Sequence, residues 1–397
     1  MKRSKHKRLM LVVITTLVAA TLHGVAAEPG PPGVLTVEQE SRVRHADCDV
    51  PGRDLASMLE RARPGDTIVL RGRCDQQVAI TVDRLRLVGD PGAVLDGGEG
   101  PSAELTAALT IDGAQGVEVE GLTIESTSVG EGILGTGGAE FTVREVVLRE
   151  HGRGMLLDDA SAELDGVTII GGFVGFQALA PSSVVITGVV DVSMVSDEAF
   201  SLIGAAGEVR GGNLSIHDNQ GLSLVVVGGS VFSILGFEIS GTSTVSVTAN
   251  AGPGILLGNG ALEIGGVRPG TPVVESSDNA GPGIVMVGGG KILNAAGWGR
   301  IVVAGNPIGI DAGSGSVIWA NGGIEIHDNF ARGLVAADST VTLEPGLNPI
   351  SITGNGPGGS GDVVLSFGAR STIVGATVGS PLVCDPTVLS RGDTVCP

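Results

Sequence analysis

His151-Gly152-Arg153-Gly154 and the nearby Asp158-Asp159 form the densest group of ionisable side chains in the body of this 397-residue chain. Two kinds of chemistry are open to such residues. An Arg beside calcium-holding carboxylates can take a proton from the carbon next to a sugar carboxylate. A pair of placed carboxylates can hydrolyse a glycosidic bond, one as acid and the other as base or nucleophile. His151, Arg153, Asp158 and Asp159 are the catalytic candidates on these grounds, with Asp191, Asp197 and Glu198 one or two repeats further on. The pattern is incomplete. Asp158-Asp159 follows Leu157 at a turn, and no acid cluster recurs one repeat away with a matching Arg.

Two other pairs, His217-Asp218 and His327-Asp328, invite the same reading until the elements that carry them are compared. Leu214-Ser215-Ile216-His217-Asp218-Asn219 is one copy of a recurring run. Others are Val245-Ser246-Val247-Thr248-Ala249-Asn250, Ile301-Val302-Val303-Ala304-Gly305-Asn306, Ile324-Glu325-Ile326-His327-Asp328-Asn329 and Ile350-Ser351-Ile352-Thr353-Gly354-Asn355. Apolar residues two apart point into a core and the residue between them points out. The Asn three further on sits at a corner, where its amide can bond the equivalent Asn one turn away. Asn219, Asn250, Asn279, Asn306, Asn329 and Asn355 are expected to stack as a ladder, with Thr127, His151 and Gly172 in the same slot earlier. Since Thr248, Ala304 and Thr353 stand where His217 and His327 stand, both histidines read as corner residues.

After each corner comes a small residue and an apolar strand, as in Gly132-Ile133, Gly154-Met155, Gly175-Phe176, Gly221-Leu222, Gly254-Ile255, Gly283-Ile284, Gly309-Ile310 and Gly333-Leu334. The copies recur roughly every 21 to 33 residues, one turn of a three-sided coil of short strands. If the residue after the Gly faces inward, the next faces out. That outer stripe reads Leu134, Leu156, Gln177, Ser201, Ser223, Leu256, Val285, Asp311 and Val335, apolar apart from one acid and three polar residues. Such a stripe argues against catalysis there and for a cover, whether loop, partner or sister chain.

Composition agrees with stacked strands and tight turns: Gly 66, Tyr 0 and 3% aromatics. The N-terminus has a basic stretch, an apolar run from Leu9 to Leu22 too short to span a bilayer, and Val25-Ala26-Ala27, the features of a signal peptide over 1–27. The expectation is therefore an exported protein that is periplasmic, surface-bound or extracellular, with no membrane insertion once the signal is removed. A net charge of -19 disfavours nucleic acid. It is compatible with calcium, but no ligand spacing calls for it, and no other cofactor is indicated. A Pro/Gly-containing leader is expected over 28–46. An amphipathic helix follows from Asp54 to Ala62, with Leu55, Met58, Leu59 and Ala62 on one face. Four Cys allow three connectivities; their grouping near the two ends favours Cys48–Cys74 and Cys384–Cys396. Gly288-Gly289-Gly290-Lys291 lacks the Ser or Thr of a phosphate loop, and Arg391-Gly392-Asp393 is a three-residue adhesive match. Trp298 and Trp319, in successive coils, could stack on sugar rings.

A short helix before Gly65-Asp66-Thr67-Ile68, repeated apolar-x-apolar-x-x-Asn coils followed by Gly-Ile, and Cys-stapled ends resemble the right-handed parallel β-helix proteins of the pectin lyase-like superfamily. The resemblance implies an all-β, single-stranded, three-sided solenoid with an N-terminal cap helix over 47–382, closed by a disulfide loop at 383–397. It is silent on activity, because that scaffold carries lyases, hydrolases, adhesins and passive surface proteins. The polygalacturonase-like sites of the superfamily add an Asp pair and a Gly-His-Gly, which the surroundings of Asp158-Asp159 lack. The expected function is that of a non-catalytic structural or ligand-binding protein, with polysaccharide or a surface protein as partner. The alternatives are a polysaccharide lyase or hydrolase, as the resemblance implies, and a self-associating adhesin.

Overall fold

The computed structural model describes residues 42–50, 52–98, 107–125, 130–236, 243–266, 272–294, 299–356, 361–379, 382–384 and 388–392. The stretches expected to be signal peptide and most of the leader, with Thr127, Trp298, Asp393 and Cys396, lie outside these. Each coil contributes three short strands. Val174–Leu179, Glu198–Ile203, Leu222–Val227, Ile255–Gly258 and Ile284–Val287 belong to a first ribbon. Ser183–Ile186, Ala206–Arg210, Ala261–Gly266, Lys291–Asn294 and Val317–Asn321 belong to a second. Val189–Ser193, Asn213–His217, Thr244–Thr248, Val273–Ser277 and Arg300–Ala304 belong to a third. Glu131–Arg144 and Arg153–Asp165 run from the first ribbon into the second, joining the two into one sheet. Each strand pairs in parallel with its counterpart one coil away, as in Phe176↔Phe200, Val184↔Gly207 and Ile216↔Val247. The protein is a right-handed parallel β-helix with three faces.

The core lies inside the coil. Ile133, Met155, Phe176, Phe200, Leu224, Ile255, Ile284, Ile310 and Leu334 form one buried column. Phe176 and Phe200 stack with ring centroids 4.4 Å apart. The inward residue of the fifth of these coils is Leu224, not Leu222, because Ser223 occupies the column that Gly254, Gly283, Gly309 and Gly333 fill elsewhere. The outer position there is therefore Val225 rather than Ser223, and it is buried between its neighbours.

The corner between third and first ribbons explains why the Asn and the small residue recur together. Asn219 donates from both its backbone N–H and its Nδ2 to Asn250 Oδ1, each at 3.0 Å. The pattern repeats from Asn250 to Asn279, Asn279 to Asn306, Asn306 to Asn329 and Asn329 to Asn355. Each Nδ2 also donates to a carbonyl one coil back, such as Asn219 to Val192 O at 3.2 Å. The ladder ends on Asp362, whose Oδ1 accepts twice from Asn355 at 2.8 Å. A Cβ on Gly254 would lie 2.8 Å from Asn279 Nδ2, and one on Gly283 2.8 Å from Asn306 Nδ2, so the ladder requires glycine at these positions.

At the N-terminal end, Leu55–Leu59 forms a helix capped by the Asp54 side chain, which accepts from Ser57 N–H at 2.9 Å. It buries Leu55 and Leu59 against the first coils and is shorter than the expected 54–62. Val43–Asp47 is a strand that pairs with Thr67–Arg71. Val43–Asp47 is thus part of the coil, within the stretch expected to be leader. One buried residue, Ala46, and the Arg44–Asp66 ion pair at 3.2 Å hold it, a pattern too polar to read as a core strand. Cys48 and Cys74 are disulfide-bonded. Cys384 is disulfide-bonded as well; its expected partner Cys396 lies outside the described residues.

Candidate functional site on the second ribbon

The structure disperses the catalytic candidates. His151 occupies the Asn slot of its coil, 3% exposed, and its Nε2 donates to Ile124 O at 3.0 Å, the bond that the asparagines make. Its Nδ1 is buried without a partner, and burial pushes its pKa down to about 4. Arg153 opens its strand and pairs with Glu131 at 3.0 Å. Asp158 is five residues along that strand, about 16 Å away at an extended rise, and exposed. Asp159 is in the left-handed region at φ 58, making the turn into the second ribbon. Asp191 belongs to the third ribbon, where it accepts from His217 Nε2 at 3.1 Å. His217 also bonds Asp218 at 2.8 Å, and this bond, then the charge of Asp191, raises its pKa. His327 pairs with Asp328 in the same way at 2.9 Å. No three His, Cys, Asp or Glu side chains converge as metal ligands among the described residues.

Charge gathers instead on the outside of the second ribbon, a face to which none of the catalytic candidates points. One outward column runs Glu118, Thr142, Glu163, Val185, Glu208, Ser233, Glu263, Leu293, Trp319, Thr342 and Thr372, one residue per coil. A column two residues earlier runs Glu140, Ser161, Ser183, Ala206, Val231, Ala261, Lys291, Val317, Thr340 and Arg370. In the N-terminal half three of the acids have partners: Arg86 with Glu118 at 2.8 Å, Thr187 Oγ1 donating to Glu163 at 3.1 Å, and Arg210 forked onto Glu208 with two bonds of 2.8 Å. A hollow of about 170 Å³ opens between Glu140, Thr142, Ser161, Glu163 and Ser183. Strand alternation marks this face, with the outward residues of Val117-Glu118-Val119-Glu120 and Gly207-Glu208-Val209-Arg210 all charged.

Two other surfaces are distinct from it. An open groove of about 610 Å³ follows the Asn corner, lined by Asp218, Asp278, Ala249 and Phe330 among others. Asp218, Asp278 and Asp328 hold the left-handed corner position in alternate coils. On the first ribbon, Leu256, Val285 and Val335 are half-buried around Asp311, whose carboxyl burial pushes up in pKa against the opposing pull of Arg332.

No protein-family model matches the chain, and no curated protein does. Among solved structures it is similar to the mannuronan C-5 epimerase AlgE6 A-module of Azotobacter vinelandii, at 15% identity and a TM-score of 0.39, covering 85% of this chain and 93% of that one. It is similar also to the catalytic domain of a GH87 alpha-1,3-glucanase in complex with nigerose, at 10% identity and a TM-score of 0.40, covering 89% of this chain and 69% of that one. At these scores neither carries an argument about what this chain does.

Proposed function

We propose that this chain is an exported β-helix protein of the pectin lyase-like kind that binds polysaccharide along the outer face of its second ribbon without turning it over. The observation that carries the reading is the in-register face itself. Hydroxyls, carboxylates and one exposed indole lie a coil apart along one column, interrupted by Val185 and Leu293, on a rigid surface, a form suited to an extended chain of sugars. The dispersal of His151, Arg153 and Asp158 supports binding over turnover, since acid and base must converge on one bond. Incubating the mature protein with a panel of immobilised polysaccharides should give retention and no new chain ends. Failure to retain any of them would refute the binding role.

A carbohydrate-active enzyme is the second reading, favoured by one observation. Glu140 and Glu163 border the same hollow from neighbouring coils, with Cα atoms about 8 Å apart from strand spacing and rise. Product release that Glu140→Gln or Glu163→Gln abolishes would replace the non-catalytic reading with a hydrolytic one.

A further inference from the structure

We infer that the C-terminal half of the second ribbon's outer face is a subsite for an anionic glycan, one bearing carboxylate or sulfate groups. Trp319 is its stacking platform and Lys291 and Arg370 its cationic edge. The inference rests on the polysaccharide-binding reading of the same face. Trp319 points outward from Val317–Asn321 and is 37% exposed, between Leu293 and Thr342 of the adjoining coils. An indole held on a sheet with an open face suits the apolar face of a sugar ring.

Charge decides the class of sugar. Lys291 and Arg370 lie in the column two residues before the indole, with Val317 and Thr340 between them. Three coils separate them, about 14 Å. Both are exposed, and neither makes an ion pair among the described residues. The contrast with the same ribbon's N-terminal half is direct, because Arg86 and Arg210 there are bound to carboxylates. Lys291 is the only lysine outside the basic N-terminal stretch of a chain with net charge -19, so an unpaired cation here is not a by-product of a basic surface. The acids that face the platform are Glu263, two coils back in the indole's own column, and Glu344, on the opposite side of it from Lys291 and Arg370. A third acid, exposed Asp338, lies at the turn two residues before Thr340, so the Lys291–Arg370 column stands between it and the indole. A glycan lying along the column places its anionic groups on the Lys291–Arg370 side.

The test uses the mature protein and two matched probe pairs: polygalacturonate with its methyl ester, and dextran sulfate with dextran. Retention of the charged member over the neutral one, weakened at about 0.5 M salt, is expected. The pair that shows it identifies carboxylate or sulfate as the recognised group. Lys291→Gln and Arg370→Gln should each weaken binding of the charged probe about two- to fivefold. Trp319→Ala should weaken it about fivefold, and all three variants should melt as wild type does. Equal retention of charged and neutral members, or variants without effect on charged-probe binding, would overturn the inference while leaving polysaccharide binding in place. Retention of no polysaccharide, these four and a wider neutral panel included, would overturn both.

Discussion

His151 shows how one position decides between chemistry and architecture. It sits where later corners carry asparagine and makes the same bond to a carbonyl one coil back, so its ring is a spacer with one donor in use. Its folded pKa of about 4 lies below the ordinary 6.5. Between these values the unfolded chain holds a proton that the folded chain does not. The stability His151 contributes is thus present above pH 6.5 and lost as pH falls towards 4, by roughly 3 kcal/mol in all. Chemical denaturation across this range should show the loss, and His151→Asn should flatten it by restoring the amide. His217 has the opposite sign. Its raised pKa adds stability below pH 6.5 that disappears as pH rises through the folded value, a small effect at an exposed site that NMR titration of the imidazole can follow. In the ladder, Asn279→Ala removes an oxygen that accepts two bonds from Asn250 and an amide that donates to Val247 O and Asn306. It should cost roughly 3 kcal/mol or more, whereas Gln220→Ala, at an exposed position beside the same corner, should be close to neutral.

At the scale of elements, the corner works as a unit of Asn and glycine. Gly283→Ala would drive a Cβ to 2.8 Å from Asn306 Nδ2 and 2.5 Å from Val303 Cγ1, whereas Gly265→Ala meets nothing closer than Leu235 at 3.7 Å. The first should lower the unfolding midpoint clearly and the second should not, a comparison that separates close packing from glycine's backbone entropy. Removing the Cys48–Cys74 bridge frees a loop of 26 residues. The double Ala variant should lose about 3–4 kcal/mol on the chain-entropy estimate. Much of this level was legible in the sequence, because strand alternation and a corner amide leave marks at fixed spacing. What was not legible follows from substitution inside the pattern. Ser223 fills the glycine column, so Gly221 only resembles a member of it and the strand's phase lies two residues from the expected one. Asp362 ends the ladder from a glycine-column position with no Asn to announce it. Val43–Asp47 hides its pairing behind one buried Ala. The candidate face carries no Asn or Gly at a fixed corner, so only the alternation of its charged strands marks it in the sequence.

The whole molecule joins a uniform interior to an outer surface that changes along its length. Inside, matched residues lie over one another from coil to coil, so each coil is supported chiefly by its neighbours. Outside, the second ribbon passes from carboxylates with partners, around Glu118 to Glu208, to cations without an ion pair among the described residues beside an indole, at Lys291, Arg370 and Trp319. Such a gradient along a rigid axis gives an extended polymer one preferred placement, and it requires no moving part. Hydrogen exchange on the protein, with and without saturating polygalacturonate, would locate the ligand directly. Added protection of backbone amides over 290–294, 317–321 and 340–344 is expected, with the Asn corner unchanged. Protection confined to the corner groove around Asp218 and Asp278, or to the apolar face of the first ribbon, would contradict the assignment of the second ribbon as the binding surface.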